Sequence, residues 1–427
     1  MSNDPRTHGL WQRTAPPAPA LGVLSGEISV DVVVVGAGYT GLSAALHLGE
    51  LDASVAVLEA ADVGFGGAGR NVGLVNAGLW ITPEAVIGAL GSSYGERLLE
   101  LLGAAPALVF ELVAAHDIAC EATRAGTLHC AVGAKGLAQL EQRAAQWLAR
   151  KAPVALLNPT ETVARTGSPI FSGALFDARA GTIQPLAYVR GLARAAMSRG
   201  TRIFIGSRAM DAQRNANVWT VRTAAGCVHA KWIIVATDVY SHGPWNVIQA
   251  EQVRMPYFNF ATAPLDAATL ASILPGREGA WDTQLVLSSF RLDAAGRLVV
   301  GSIGALRGPA ASVHERWARR ALRKVFPQLG AVAFEASWFG HIGMTDDNVP
   351  RLHMFGPNVV GCSGYNGRGI APGTTFGRLL ARFVAGQLGE ADLPLPITEA
   401  AASRMRSVKE GFYEIGSAAA HLVGARL

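Results

Sequence analysis

Charge is scarce in this chain: 16% of its 427 residues are Asp, Glu, Lys or Arg, and 50% are hydrophobic. That balance excludes a disordered, solvating chain and belongs to a globular one. The 37 basic residues exceed the 32 acidic ones by only 5, and they are scattered. No like-charge run reaches the length of a nucleic-acid arm, so no nucleic-acid partner is expected. Cysteine is equally sparse. Cys120, Cys130, Cys227 and Cys362 form no C-x-x-C pair, which suggests neither a zinc cluster nor a dithiol redox motif. The ten histidines show no metal-ligand spacing, and no metal is expected. Reduced thiols and a cytoplasmic location are the corresponding expectations. Long apolar runs are missing as well, each being interrupted before the roughly 20 residues that a spanning helix needs. The opening residues, MSNDPRTHGLWQRTAPPAPALG, carry proline and charge where a signal peptide would be apolar. A soluble protein is expected, with about two to three domain-sized units and a core that needs no disulfide or structural metal.

Glycine is plentiful, at 49 residues, and its placement is informative. Residues 1–29 read as an irregular, proline-bearing arm pinned to the body by Trp11. The run VDVVVV at 30–35 is too uniformly β-branched for a half-exposed strand and suits a central parallel strand. GAGYTGLSAALHLGELDA follows as a glycine turn and a helix, with Leu42, Ala45, Leu46 and Gly49 on one face. SVAVLEA then reads as a second strand, which completes a right-handed crossover unit.

Further along, 94–150 is mainly helical, broken by Pro106 and by a short hairpin at 126–133. A helix from Pro185, the strand TRIFIG, a meander at NVWTVRTAAGCVHA and the strand WIIVATD return to the nucleotide-binding core. MPYFNFAT and GRLVVGS suggest a second, antiparallel sheet, closed by a helix over 312–326. The expected fold is α/β: a Rossmann-like dinucleotide domain, interrupted in sequence, with an α+β substrate domain on an antiparallel sheet. Segments 30–90, 176–245 and 333–427 are assigned to the first and 91–175 and 246–332 to the second.

Gly36-Ala37-Gly38-Tyr39-Thr40-Gly41 lies between strand and helix, as a dinucleotide fingerprint requires. Gly36 permits the turn, Gly38 leaves room for a pyrophosphate, and Gly41 lets helix and strand approach. Glu59 ends the second strand at the distance expected of a carboxylate on an adenosine ribose, with Ala60 beside it. GFGGAGRNVGLVNAG at 64–78 separates FAD from NAD: a long ribityl-pyrophosphate linker needs backbone that follows it, and Arg70 and Asn71 can meet phosphate or ring. A second glycine turn, Gly361 to Ile370, precedes a helix near Pro372. Its amides, with Arg368, suit the negative charge of a reduced flavin.

VVVVGAGYTGLSAALHL, VLEA, GAGRNVG, GTIQPLAYVRGLA, IIVATDVYS, WFGHIGMTDDNVP and SGYNGRGIAPGT resemble successive motifs of the D-amino-acid-oxidase-type FAD-dependent oxidoreductases. AGRNVG and GYNGRG are most similar to the gamma-glutamylputrescine oxidase-like branch. The likeness covers most of the chain and is specific at 30–80, 180–240 and 335–388. It implies hydride transfer from a C–N carbon to flavin N5. It also implies FAD contacts at Gly36, Gly38, Tyr39, Thr40, Gly41, Glu59, Ala60, Arg70, Asn71, Val72, Gly73 and Thr237, at Gly364, Tyr365, Asn366, Gly367, Arg368, Gly369 and Ile370, and at Met210 through its backbone. The loop at 64–78 holds no His or Cys, so noncovalent FAD is expected.

Flavin oxidation of an amine needs chiefly a neutral amine near N5 and no acid–base dyad. Tyr257, Phe258 and Phe260 are candidate substrate walls, Tyr365 faces the substrate in the same reading, and His341 is a candidate polar group. His341 and Arg368 are the candidate catalytic residues. Arg254 and Arg291 can hold a carboxylate, with surface salt bridging as their other role. The expected function is oxidation of a small amine or amino acid, with oxygen or another acceptor taking the electrons. A dehydrogenase serving a quinone or protein acceptor and a flavin-binding protein without amine oxidase activity are the alternatives. An NAD enzyme would leave AGRNVG and GYNGRG without a role.

Overall fold

Burial on both faces explains the β-branched run: Val32 to Val35 end the strand Gly26–Val35 and all four are buried. The strand pairs in parallel with Gly226–Val235 on one side and Val55–Leu58 on the other. Parallel neighbours require a crossover, and the helix Tyr39–Gly49 supplies it. The computed structural model describes residues 8–424, so the ends of the expected arm and C-terminal segment lie outside the described residues.

The first sheet runs Ile397–Thr398, Arg351–Gly356, Val359–Ser363, Gly226–Val235, Gly26–Val35, Val55–Leu58, Arg202–Phe204. The expected meander is present: Val218–Arg222 pairs antiparallel with Gly226–Val235, and Asp211–Asn215 pairs antiparallel with Val218–Arg222. The second sheet has eight strands in the order Phe334–Met344, Val253–Pro264, Arg297–Ile303, Ser288–Leu292, Gly279–Asp282, Thr127–Ala131, Gly173–Asp177, Val154–Leu157. The helix Gly308–Val325 closes one face of it, placing Trp317 and Leu322 in one apolar cluster with Phe258, Phe260 and Phe290. The α/β architecture with a second, largely antiparallel sheet is therefore as expected.

Four details differ. The strand Phe334–Met344 pairs along Val253–Pro264, so the chain leaves the antiparallel sheet only after Met344 and not at 333. Thr127–Ala131 is no hairpin: it is one strand between Gly173–Asp177, antiparallel, and Gly279–Asp282, parallel. Pro106 does not end its helix, which runs Pro83–Ala115 with a kink at Gly91. Proline lacks the N–H that would bond the carbonyl of Leu102, and Gly78 N–H donates to that carbonyl instead, at 2.9 Å. This helix is also long and apolar enough to cross a membrane, contrary to the expectation of interrupted runs; half of its most apolar window is buried inside the fold.

Trp11 pins the arm as expected. It is fully buried on the short helix Leu10–Thr14, stands edge-on to Trp338 and donates Nε1–H to the Asn71 carbonyl at 2.9 Å. The arm thereby braces the 64–78 loop.

Candidate active site

Three glycines of the first motif face three different constraints. Gly36 has φ +107°, and a Cβ there would lie 2.6 Å from the Ala236 carbonyl. At Gly41 a Cβ would lie 2.0 Å from the Gly36 carbonyl oxygen, so helix and strand meet backbone to backbone. Gly38 is extended, and nothing lies nearer its missing Cβ than Ala68 Cβ at 3.8 Å. Gly38 precedes the helix without a side-chain cap, so the first helical amides remain for an anion. Glu59 is fixed at the end of Val55–Leu58: its carboxylate accepts Ala37 N–H and Ala61 N–H, each at 2.9 Å. Burial raises its pKa.

The 64–78 loop is held by its own polar groups. Asn71 Nδ2 donates to the carbonyls of Gly67 and Ala68 and to Tyr39 Oη, and its Oδ1 accepts Gly73 N–H. Arg70 is buried with its guanidinium 4.6 Å from the Phe65 ring centroid, and its carbonyl accepts from Asn259 Nδ2 and Trp338 Nε1. The second glycine turn follows the buried strand Val359–Ser363, which contains Cys362. Asp238 accepts Gly364 N–H at 2.9 Å, and Asn366 Oδ1 accepts Thr345 N–H at 2.8 Å. The Tyr365 and Thr40 hydroxyls meet at 2.7 Å and join the two glycine motifs.

Between these motifs runs a cavity of about 780 Å³ that continues onto the antiparallel sheet. Gly36, Gly38, Tyr39, Thr40, Glu59 and Ala60 line one end, with Arg70, Asn71, Val72 and Thr237 beside them. Tyr365, Asn366, Gly367, Arg368, Gly369 and Ile370 line the middle, and Tyr257 and His341 lie toward the sheet. Arg368 is half-buried: it donates Nη1–H to the Ala77 carbonyl at 2.7 Å and lies 5.3 Å from the Trp281 ring centroid. Burial, with Arg254, Arg307 and Arg70 nearby, drives the His341 pKa down to about 3, so its ring is neutral at physiological pH. Its backbone N–H is held by Tyr240 Oη at 2.9 Å.

Residues 31–383 match the family described as FAD dependent oxidoreductase (DAO). The chain belongs to that family. It is similar to gamma-glutamylputrescine oxidoreductase of Escherichia coli (strain K12), with 32% identity over 85% of both chains. Its identity to probable oxidoreductase OrdL of Haemophilus influenzae is 30%, over 83% of both. Glycine oxidase from Geobacillus kaustophilus shares the fold with a TM-score of 0.71 at 18% identity, covering 88% of this chain and 100% of that one. L-proline dehydrogenase from P. horikoshii does so with a TM-score of 0.70 at 16% identity, covering 87% and 96%.

FAD is thus the cofactor of this oxidoreductase, and the cavity fits it. A Cβ-sized gap stands at Gly38, a carboxylate waits at Glu59, and the lining cations are Arg70, Arg208 and Arg368. No cysteine occurs among the described lining residues, and the histidines there are His242 and His341.

Several expected contacts of the FAD domain lie off the lining. Gly41 is turned onto the Gly36 carbonyl, Gly73 onto Ile183, and Gly364 onto Thr345. Met210 spends its N–H on the Arg222 carbonyl at 2.8 Å and exposes its side chain; Arg208 and Ala209 line the cavity in its place. Phe260 is no substrate wall. Side chains alternate along Val253–Pro264, so Met255 and Tyr257 face the cavity while Phe258 and Phe260 pack in the cluster beneath the helix Gly308–Val325. Arg291 is buried too, bonded to the Ile183 carbonyl and 3.7 Å from Glu121, and is not a surface bridge. Trp281, Gln139, Thr283 and Ser289 line the cavity without having been marked in the sequence. Their segments carry no glycine turn or motif, so no local signal identified them.

Proposed function

We propose that this FAD-dependent oxidoreductase oxidises the C–N bond of a small amine or amino acid. One observation carries the reading: a single cavity joins the dinucleotide end, at Gly38 and Glu59, to an aromatic chamber at Tyr257 and Trp281. When bound, FAD would supply a two-electron acceptor for the hydride on the carbon bearing nitrogen, and the imine so formed would hydrolyse to carbonyl and amine. Glu59 would accept ribose hydroxyl hydrogen bonds and the helix N-terminus behind Gly38 would hold the pyrophosphate. Thr237, Asn71 and the 365–370 turn, which line the same cavity, would hold the rest of the cofactor.

Glu59 and Asp238 are the only carboxylates among the described lining residues, and both lie at the cofactor motifs. The chamber thus offers no acid–base dyad and receives the amine in its neutral form. His341, neutral and aromatic-packed against Tyr240 and Phe339, positions that amine by hydrogen bonding without competing for its proton. Arg368, half-buried beside Trp281, supplies the positive charge that steadies either a substrate anion or the reduced cofactor. Oxygen or another acceptor completes turnover. The relatives named for amines and amino acids support the substrate class. Burial of half of the apolar window in Pro83–Ala115 supports a soluble enzyme, and four unpaired cysteines support a cytoplasmic one.

Anaerobic addition of an amine and amino-acid panel to the FAD-loaded protein tests the proposal. Bleaching of the flavin bands by a panel member, with a carbonyl product, is the expected result. Flavin that no member reduces would overturn it, and oxygen uptake during turnover separates oxidase from dehydrogenase.

A further inference from the structure

Strand register brings together three side chains that no sequence motif connects. Glu27 stands opposite Cys227 across the parallel pair Gly26–Val35 and Gly226–Val235. His229 follows two residues after Cys227 and therefore shares its face. The ligand atoms of the three lie within 4.8 Å of one another. His229 Nε2 is 3.3 Å from Glu27 Oε2 and 3.7 Å from Cys227 Sγ.

We propose that Glu27, Cys227 and His229 form a zinc site with its fourth position open to solvent. The edges of the triangle carry the argument. With bonds of about 2.0–2.1 Å to nitrogen and oxygen and about 2.3 Å to sulfur, a tetrahedral zinc centre has N···O edges of about 3.3 Å and N···S edges of about 3.6 Å. The observed 3.3 and 3.7 Å match both. Thiolate, imidazole and carboxylate are zinc's own donors, and the sulfur disfavours magnesium and calcium.

The imidazole is also oriented for the task. His229 Nδ1 lies 3.0 Å from Thr220 Oγ1 on the adjoining strand. Donation of Nδ1–H to that hydroxyl leaves the Nε2 lone pair facing the triad, and such a hydrogen bond fixes the tautomer and ring orientation that metal binding needs. Cys227 and His229 sit in a three-strand ladder, so little side-chain order is lost on binding. Glu27 is mostly exposed and swings in as the mobile ligand. On binding, the Cys227 S–H bond breaks, a Zn–S bond forms and the proton leaves to water.

Nine residue-to-residue steps along one extended strand lead from Glu27 to Gly36, which places the ion roughly 30 Å from the cofactor loop. The site therefore takes no part in amine oxidation. It clips the starting ends of two central strands and shields the one thiol that is not buried.

Cys120, Cys130 and Cys362 are buried, so alkylation of the native protein reads Cys227 alone. Tag-free, FAD-loaded protein is stripped with a chelator, titrated with ZnCl₂ in a calorimeter, and treated with iodoacetamide for mass spectrometry. The expected result is saturable binding of a single zinc ion per chain, with Cys227 protected. Cys227→Ser and His229→Gln should abolish binding, and Thr220→Val should weaken it about tenfold or more, all with unchanged flavin content. Cobalt(II) should give the intense red-region bands of a tetrahedral thiolate site, beyond the flavin absorption. Absence of saturable binding, equal binding in Cys227→Ser or His229→Gln protein, or equal alkylation of Cys227 with and without zinc, would overturn the assignment.

Discussion

Replacing Gly38 with alanine adds one methyl group where the protein itself leaves room for it. The backbone there is at φ −91°, ψ −170°, which any residue can adopt. The new Cβ would meet only Ala68 Cβ, at an ordinary 3.8 Å. The FAD-free protein should therefore keep its stability to within about 0.5 kcal/mol. The methyl does fill the space through which a pyrophosphate reaches the helix N-terminus. Pushing an anion out of such a partly buried position forfeits up to about 2 kcal/mol, or about 30-fold in Kd. Gly41→Ala should fail in the opposite way. Its Cβ would lie 2.0 Å from the Gly36 carbonyl oxygen, a backbone atom, and such overpacking costs about 1–3 kcal/mol or more before any cofactor is added. The assay is thermal unfolding of both FAD-stripped variants, followed by FAD titration with quenching of flavin fluorescence. Wild-type FAD affinity in Gly38→Ala would refute the reasoning, as would equal loss of apoprotein stability in both variants.

Arg368→Ala should slow anaerobic flavin reduction about 10–100-fold, the loss of one charge-assisted contact of about 1.5–3 kcal/mol. Arg368→Lys should recover part of it, since charge persists without the planar fork; unchanged stopped-flow rates would remove Arg368 from the chemistry. Burial and neighbouring arginines hold His8 at about 4, and burial alone holds His314 at about 4, against an ordinary 6.5. The unfolded chain thus binds more protons in that window, so stability is full above about pH 6.5 and falls by up to about 1.4 kcal/mol per pH unit per group toward pH 4. A Tm flat between pH 4 and 6.5 would contradict this, and His314→Leu should reduce the slope. Asp282 has the opposite sign, because desolvation raises its carboxyl to about 6. Its contribution is lost as pH rises from about 3.8 through 6, and Asp282→Asn should raise stability at pH 7 by at most about 3 kcal/mol; a lower Tm for that variant at pH 7 would contradict the sign.

The crossover unit was legible because its causes are local. VDVVVV excludes one-sided burial, GAGYTG needs its glycines within a single turn, and the helix repeats its apolar face every three or four residues. The second glycine turn was legible for the same reason. The chamber was not: MPYFNFAT carries aromatics on both faces of its strand, and only the helix Gly308–Val325 decides that Phe258 and Phe260 are core while Tyr257 faces the cavity. Pro106 reads as a break until Gly78 is seen to take the carbonyl it leaves free. Glu27 stands 200 residues from Cys227 in the chain and opposite it in the sheet. By itself, then, the amino-acid sequence determined the elements, the dinucleotide turn and the family, since backbone sterics and periodicity act over a few residues. Tertiary structure alone decided which face of each strand meets the cofactor cavity and which distant side chains become neighbours, because both depend on long-range burial and register.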